Sequence, residues 1–154
     1  MQNGGRRKKA AMETPISAVS YVISFGNGGF GNVEVAFSEL NGIKSEMAAA
    51  QYASTGSTGN PFGNARPQTV TLTRRVDGST EIWAWHMDVL AGKPSARKDC
   101  LLKLLDASGK TLLTFVMGHA WPGKAEIAGV PSGESQDVME TYEFVCDSID
   151  IQPG

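Results

Sequence analysis

The sequence predicts a mainly β protein, a small antiparallel β-barrel or β-sandwich with one flanking α-helix. Three observations support this prediction: apolar and polar residues alternate in several short segments, turn-forming residues separate those segments, and one segment has helical periodicity. The 154 residues are enough for one domain. We place that domain at residues 16–152 and expect residues 1–15 to form a flexible basic tail.

The first half of the chain predicts three strands. Ser20 to Phe25 is rich in Tyr, Val and Ile, and Val33 to Leu40 alternates between apolar and polar residues. Asn41-Gly42 then predicts a hairpin turn, because this dipeptide readily adopts left-handed backbone angles. The returning strand would run from Ile43 to about Tyr52, although the Met47-Ala-Ala-Ala segment is also compatible with a helix.

A long irregular stretch follows, from Ser54 to Pro67. It has no hydrophobic periodicity and several turn dipeptides, and loops of this length in compact domains are usually functional or disordered. Phe62 and Arg66 are its side chains with the largest contact potential. Gln68 to Val76 then alternates as another strand.

Thr80 to Ala91 is the segment with helical periodicity. Ile82, Trp85 and Val89 would share one face, with Trp83 and Leu90 on its flank. Candidate capping residues, Asp77-Gly78-Ser79, precede the segment, and Gly92 and Pro94 follow it.

The segments Arg97 to Asp106 and Lys110 to Trp121 predict a hairpin around Asp106-Ala107-Ser108-Gly109. One face of this hairpin supplies core residues, and the opposite face is apolar as well. A sheet that is apolar on both faces is covered on both faces, so we expect contact with another copy of the chain. The residues of the second apolar face are Leu101, Leu105, Leu112 and Val116.

The end of the chain predicts a strand break at Trp121-Pro122-Gly123 and a weakly extended segment from Ala125 to Val130. A last strand would run from Asp137 to Ile151, with Tyr142 and Phe144 on one face. The prediction is therefore about six strands and one helix.

The charge distribution argues against a general nucleic-acid-binding protein. The formal net charge is −2, and four of the 14 basic residues lie together at Arg6–Lys9, which leaves 10 basic against 16 acidic residues elsewhere. The basic run is a solvated tail or, alternatively, a phosphate-binding arm. No apolar run follows it, so we expect no signal peptide, and no stretch is apolar enough for a membrane anchor.

The sequence contains no recognisable catalytic constellation. His86 and His119 lack metal-ligand spacing, and Cys100 and Cys146 are isolated in apolar segments. The Gly26-x-Gly28-x-x-Gly31 spacing joins two antiparallel strands rather than a strand and a helix, which excludes a dinucleotide site. We therefore predict no enzyme, no cofactor and no metal. The alternative is a monomeric ligand-binding β module that uses Trp83 or Trp85 as its platform. Because two residues two apart on a helix point in different directions, we expect at least one of them to lie in the core.

Four segments, in order, resemble conserved stretches of contractile phage tail-tube proteins. Two lie in the first half, Phe37-Ser-Glu-Leu-Asn-Gly-Ile and Val70-Thr-Leu-Thr-Arg-Arg-Val, the latter followed by Ile82-Trp-Ala-Trp. Two lie in the second half: Leu104-Leu-Asp-Ala-Ser-Gly-Lys, followed by His119-Ala-Trp-Pro-Gly-Lys, and Val138-Met-Glu-Thr-Tyr-Glu-Phe. His119 stands where Asn is common in that family.

The resemblance implies a fold shared with type VI secretion tube proteins and a structural role as the inner tube of a contractile tail or injection system. It implies hexameric rings that stack into a hollow tube, a sheath that drives the tube into its target, baseplate or spike and tube-terminating partners, and possible protein cargo in the lumen. It also implies assembly in the bacterial cytoplasm before incorporation into a phage tail or injection particle. A tube initiator or baseplate adaptor is the alternative within the same system.

On this basis we expect two kinds of interface. Contacts between successive rings would come from the long loop, through Phe62, Asn64 and Arg66. Contacts within a ring would come from the second apolar face of the hairpin, through Leu101, Leu105, Leu112 and Val116.

Overall fold

The computed structural model describes residues 15–26, 32–47, 63, 65–133 and 135–154. Within these residues the chain forms eight strands and one α-helix, which confirms the predicted mainly β fold class with two strands more than expected. The elements are β1 (Ser20–Gly26), β2 (Asn32–Phe37), β3 (Glu39–Lys44), β4 (Gln68–Arg75), α1 (Glu81–Leu90), β5 (Lys98–Leu105), β6 (Thr111–Ile127), β7 (Met139–Cys146) and β8 (Ser148–Pro153), with a 3-10 turn at Pro94–Ala96.

All strand pairs are antiparallel, and they form two sheets that share β6. The first sheet has the order β2-β1-β5-β6-β8, and the second has the order β6-β7-β4-β3. The strand path is continuous from β2 to β3, but these two end strands do not pair with each other. The described residues therefore form an open sandwich rather than a closed barrel.

Strand β6 continues through the predicted break at Trp121-Pro122-Gly123, so that prediction is wrong. Its first half pairs with β5 and β8, its second half pairs with β7, and a register shift lies between Pro122 and Lys124. A proline is tolerated at such an irregularity because its missing N–H leaves no ladder bond unmade. β6 passes from the first sheet into the second just before this irregularity, between Ala120, which pairs with Lys98, and Trp121, which pairs with Val145.

The predicted hairpin at Asn41-Gly42 is also wrong. Both residues lie inside β3, at a register shift in its pairing with β4, and the chain changes sheets at Ser38. Ile43 and Lys44 end β3, whereas residues 48–52 of the predicted returning strand lie outside the described residues. The Asn-Gly pair therefore lies in a β-bulge, which, like a hairpin turn, is a position where residues adopt unusual backbone angles.

The predicted last strand, Asp137 to Ile151, is two strands separated by Asp147. β7 pairs with β4 and the second half of β6, and β8 pairs with the first half of β6. The second predicted hairpin, by contrast, is confirmed as β5 and β6.

The core lies between the inner faces of the two sheets. Strand alternation buries one face of each strand, and aromatic rings fill the middle: Phe37 meets Tyr142 and Phe144 edge-on, with ring centroids 6.3 Å apart in each pair. Fully buried residues from both sheets include Ile23, Leu102, Met117, Val70 and Leu72.

Helix α1 packs its predicted face against this core. The Trp85 ring lies 4.4 Å from the Phe25 ring, centroid to centroid, and its indole N–H donates a 2.6 Å hydrogen bond to the Ala96 carbonyl. Thr80 precedes the helix without a side-chain capping bond. Burial of Ile82 and Trp85, rather than capping, therefore holds the helix in place.

A buried ion pair crosses β4 and β7 on the inner face. The Arg74 Nε atom lies 3.4 Å from Glu140 Oε2, and each side chain is 6% exposed. The Tyr142 hydroxyl donates a 2.5 Å hydrogen bond to the other oxygen of Glu140, and the Arg74 guanidinium also pairs with Asp77. Removing one charge from such a cluster leaves the other without full compensation.

We therefore expect Glu140→Gln to lower the free energy of unfolding by about 3 kcal/mol, because it leaves the buried Arg74 charge short of its partner. Urea denaturation followed by tryptophan fluorescence measures the change. The matched control is Glu143→Gln, three residues along β7 on the outer face, which should change stability by less than about 0.5 kcal/mol. Equal losses in both variants would show that the ion pair contributes no special stability.

Candidate functional site

The two histidines occupy unrelated environments. His86 is buried, and its Nδ1 atom forms a 2.7 Å hydrogen bond with the Pro122 carbonyl. His119 is exposed, with its Nδ1 atom 3.4 Å from a carboxylate oxygen of Asp147. No group of three His, Cys, Asp or Glu side chains among the described residues is arranged to hold a metal ion.

Both cysteines are free and buried. Burial, with a smaller contribution from nearby Cys146, raises the pKa of the Cys100 thiol to about 12. Burial also raises the pKa of the Cys146 thiol to about 11. The thiolate form is therefore scarce at neutral pH, and neither residue has the environment of a nucleophile.

An open groove of about 500 Å³ lies at the end of β4, between Val19, Phe37 and Val76. Its charged residues are already paired: Arg74 with Glu140 and Asp77, and Arg75 with Asp137 at 3.6 Å. A groove whose ionisable groups neutralise each other supplies no free acid or base for catalysis. The surfaces of the two sheets and the helix are better candidates for function.

The four residues predicted to lie within a ring interface share the outer face of the first sheet. Val116 lies opposite Leu101, and all four side chains are half-buried in the single chain. The same face carries a weak ion pair between Lys103 and Glu34 at 3.9 Å. The structure thus brings together Leu101, Leu105, Leu112 and Val116 as predicted.

The outer face of the second sheet is polar instead. The Thr73 hydroxyl lies 2.7 Å from the Asn41 side-chain oxygen and 2.9 Å from the Thr141 hydroxyl. Thr71 and Glu143 lie opposite each other on the same face. The two outer faces therefore differ: the first carries four half-buried apolar side chains among polar ones, and the second carries mainly hydroxyl and charged groups.

The first sheet ends in two strand edges. β2 pairs only with β1, and β8 pairs only with β6, so each leaves one edge without a strand partner in the described residues. The two edges lie at opposite ends of the sheet order. Such edges offer unpaired backbone N–H and C=O groups to another chain.

Of the predicted loop residues, Phe62 and Asn64 lie outside the described residues, and Arg66 is exposed. The base of the loop is closed by a bridge between Met47 and Ala65 and by the Arg66 backbone N–H, which donates to the Glu46 carbonyl at 3.0 Å. The two ends of the loop therefore lie next to each other, beside the edge strand β3.

Sequence reasoning missed a second apolar face on α1. Trp83, Met87 and Leu90 are 38%, 39% and 67% exposed, and their i, i+4, i+7 spacing was the available signal. Trp85 is buried in the core, as expected for at least one of the two tryptophans, and Trp83 is the exposed member of the pair. No helix among the described residues combines the length and hydropathy needed to cross a bilayer.

Several solved structures have folds similar to that of this chain. The chain is similar to one in the PVC extracellular contractile injection system, sheath-tube complex, with a TM-score of 0.70, 19% identity, and 96% of this chain and 97% of that chain covered. It is also similar to a chain in the anti-feeding prophage baseplate structure, with a TM-score of 0.67, 18% identity, and 92% of this chain and 98% of that chain covered. It is also similar to Hcp1 from Flavobacterium johnsoniae (TM-score 0.51, 18% identity, 86% and 96% covered).

Among curated proteins, none matches this chain. The family model of the T4-like virus tail tube protein gp19 matches residues 17–149, which include β1 to β7 and the first two residues of β8. That match confirms the predicted family, and a family of structural tube proteins argues against an enzyme. The chain therefore belongs to the T4-like virus tail tube protein family.

Proposed function

We propose that this tail-tube protein assembles head to tail into hexameric rings, and that stacked rings form the hollow inner tube of a contractile tail or injection system. The observation that carries the proposal is the first sheet, which is open at β2 on one side and at β8 on the other. Two different edges on one sheet suit a head-to-tail contact, in which β8 of one copy pairs with β2 of the next.

Such pairing continues one sheet through successive copies. Each joint satisfies backbone groups that the single chain leaves unpaired, and a constant rotation at every joint closes the ring. The number of copies, six, follows from the family resemblance. Residues 16–152 act as the tube domain in this proposal, and the protein has no catalytic role.

The apolar outer face of the first sheet adds to the contact within the ring. Leu112 and Val116 lie on β6, next to the β8 edge, and Leu101 and Leu105 lie on the neighbouring strand β5. Covering their remaining exposed area is favourable by about 25 cal/mol per Å². The polar outer face of the second sheet remains in contact with water.

The remaining partners follow from the same role. A contracting sheath drives the tube into the target, a baseplate or spike starts it, and a terminating protein ends it, while protein cargo travels in the lumen. The subunits assemble in the bacterial cytoplasm. A tube initiator or baseplate adaptor is the second candidate, since one similar fold occurs in the anti-feeding prophage baseplate structure.

We expect purified wild-type protein at micromolar concentration to form rings or longer assemblies, measured by size-exclusion chromatography with light scattering. Val116→Lys should reduce assembly at least about tenfold, because it places a charge on the apolar face that a neighbour covers. The matched control is Thr71→Lys on the outer face of the second sheet: both positions are half-buried, and each lies opposite a carboxylate, Asp150 or Glu143.

A stable wild-type monomer across this concentration range would contradict the proposed function. Equal loss of assembly in Val116→Lys and Thr71→Lys would contradict the assignment of the apolar face. Circular dichroism of each variant separates lost assembly from lost folding.

The loop residues are proposed contacts between rings. We expect the double variant Phe62→Ala/Arg66→Ala to form single rings but short tubes or none, because it removes an aromatic ring and a cation from a segment that offers few other contacts. Negative-stain microscopy measures tube length. Asn64→Ala should give a weaker effect in the same direction, and tubes of normal length from the double variant would show that the loop is not the axial contact.

A further inference from the structure

The open groove at the end of β4 is unsuited to catalysis, but its apolar lining suits the docking of another chain. Val19 and Val76 line it and are 57% and 41% exposed, and the buried Phe37 ring lines it as well. Covering such exposed apolar area is favourable by about 25 cal/mol per Å². An apolar side chain from another copy would therefore gain free energy by entering the groove.

The charged groups at the groove carry one negative charge in excess. Two arginines are paired with three carboxylates: Arg74 with Asp77 and Glu140, and Arg75 with Asp137. A backbone N–H two residues along the chain donates to Asp77 at 3.0 Å and, with Arg74, lowers the pKa of that carboxyl, so it is charged at neutral pH. Asp77 and Asp137 are both mostly exposed. The rim of the groove therefore favours an approaching cation.

The long loop and the groove lie at opposite ends of β4. The loop leads into the strand at Gln68, and the bridge between Met47 and Ala65 closes its base. The groove is lined by Arg75, the last residue of the strand, and by Val76. Because a strand rises about 3.3 Å per residue, the eight residues of β4 separate the two features by about 23 Å.

The first sheet shows the same arrangement. The groove lies where β1 begins and β2 ends. The loop base lies near the other end of these strands: Gln68 pairs with Cys146, and the next residue, Asp147, donates its backbone N–H to the Gly118 carbonyl. Gly118 belongs to the end of the sheet at which β5 begins and β1 ends. The molecule thus carries the loop at one end and the groove at the other.

We propose that the groove is the receptor for the long loop of a copy in the neighbouring ring, with the Phe62 ring between Val19 and Val76. The inference rests on the proposed function, in which the first sheet is joined edge to edge around the ring, so that the ends of its strands face the adjacent rings. A loop at one end and its receptor at the other form a head-to-tail contact, which repeats along a stack of any length.

The composition of the loop matches that of the groove. Between Met47 and Gln68, Arg66 is the single charged residue, and Phe62 contributes a phenyl ring. The loop therefore brings one apolar ring and one cation to a groove that is apolar inside and negative at its rim. Asp77 and Asp137 are the carboxylates that Arg66 would face.

Disulfide cross-linking tests this contact. The double variant Phe62→Cys/Val76→Cys places one thiol in the loop and one in the groove, whereas the native Cys100 and Cys146 are buried. Mild oxidation with diamide should join chains end to end and give a ladder of covalent oligomers on non-reducing gels. The matched control is Phe62→Cys/Met87→Cys, because Met87 is 39% exposed but lies on α1; it should give no oligomers beyond dimers.

Three results would overturn the groove contact: no ladder, an equal ladder in the control, or a disulfide within one chain, which would show that the loop docks on its own groove. Electron microscopy of the same samples separates this inference from the proposed function. Rings without a ladder would refute the groove contact alone. A ladder without rings would refute the proposed rings and leave the groove contact standing.

A second test measures tube length by negative-stain microscopy. Val76→Gln should leave single rings intact but shorten tubes several-fold, because it places a polar amide where the Phe62 ring would pack. Met87→Gln, at a position of similar exposure, should leave tube length unchanged. Circular dichroism checks that both variants fold. Tubes of wild-type length from Val76→Gln, or equal shortening by Met87→Gln, would contradict the proposed receptor.

Discussion

The whole architecture depends on one strand that belongs to two sheets. β6 runs unbroken over 17 residues, pairs with β5 and β8 in its first half, and pairs with β7 in its second. Because it passes from the first sheet into the second between Ala120 and Trp121 without ending, the two sheets face each other and enclose the aromatic core. Helix α1 is tied to the same strand, because His86 forms a hydrogen bond with the Pro122 carbonyl. Backbone pairing along β6 therefore fixes how the two sheets are joined.

This architecture separates the outer surfaces by chemistry. The first sheet carries apolar side chains on its outer face and two open edges. The second carries charged groups and a hydrogen-bonded network in which Thr73 contacts both Asn41 and Thr141. A head-to-tail assembly needs two different contact surfaces on each copy, and one sheet with unlike edges provides them without a separate interaction domain. The exposed stripe of Trp83, Met87 and Leu90 on α1 is a second exposed apolar surface.

Sequence patterns predicted those features that depend on local periodicity. The helix, the β5–β6 hairpin and its second apolar face follow from side-chain alternation, and the structure confirms each of them. The errors occur where tertiary pairing overrides local turn chemistry: Asn41-Gly42 occupies a bulge in β3, and Pro122 lies inside β6. The left-handed angle of His119 could not be predicted either, because it follows from the bend of a strand between two sheets.

The central claim is that copies join through unlike edges of the first sheet. Cryo-electron microscopy of the assembled protein, at a resolution that separates strands, tests it most directly. The account predicts hexameric rings in which β8 of each copy pairs with β2 of the next, so that one sheet runs around the ring. Rings in which both β2 and β8 face solvent, or particles related by a two-fold axis with like surfaces in contact, would contradict it.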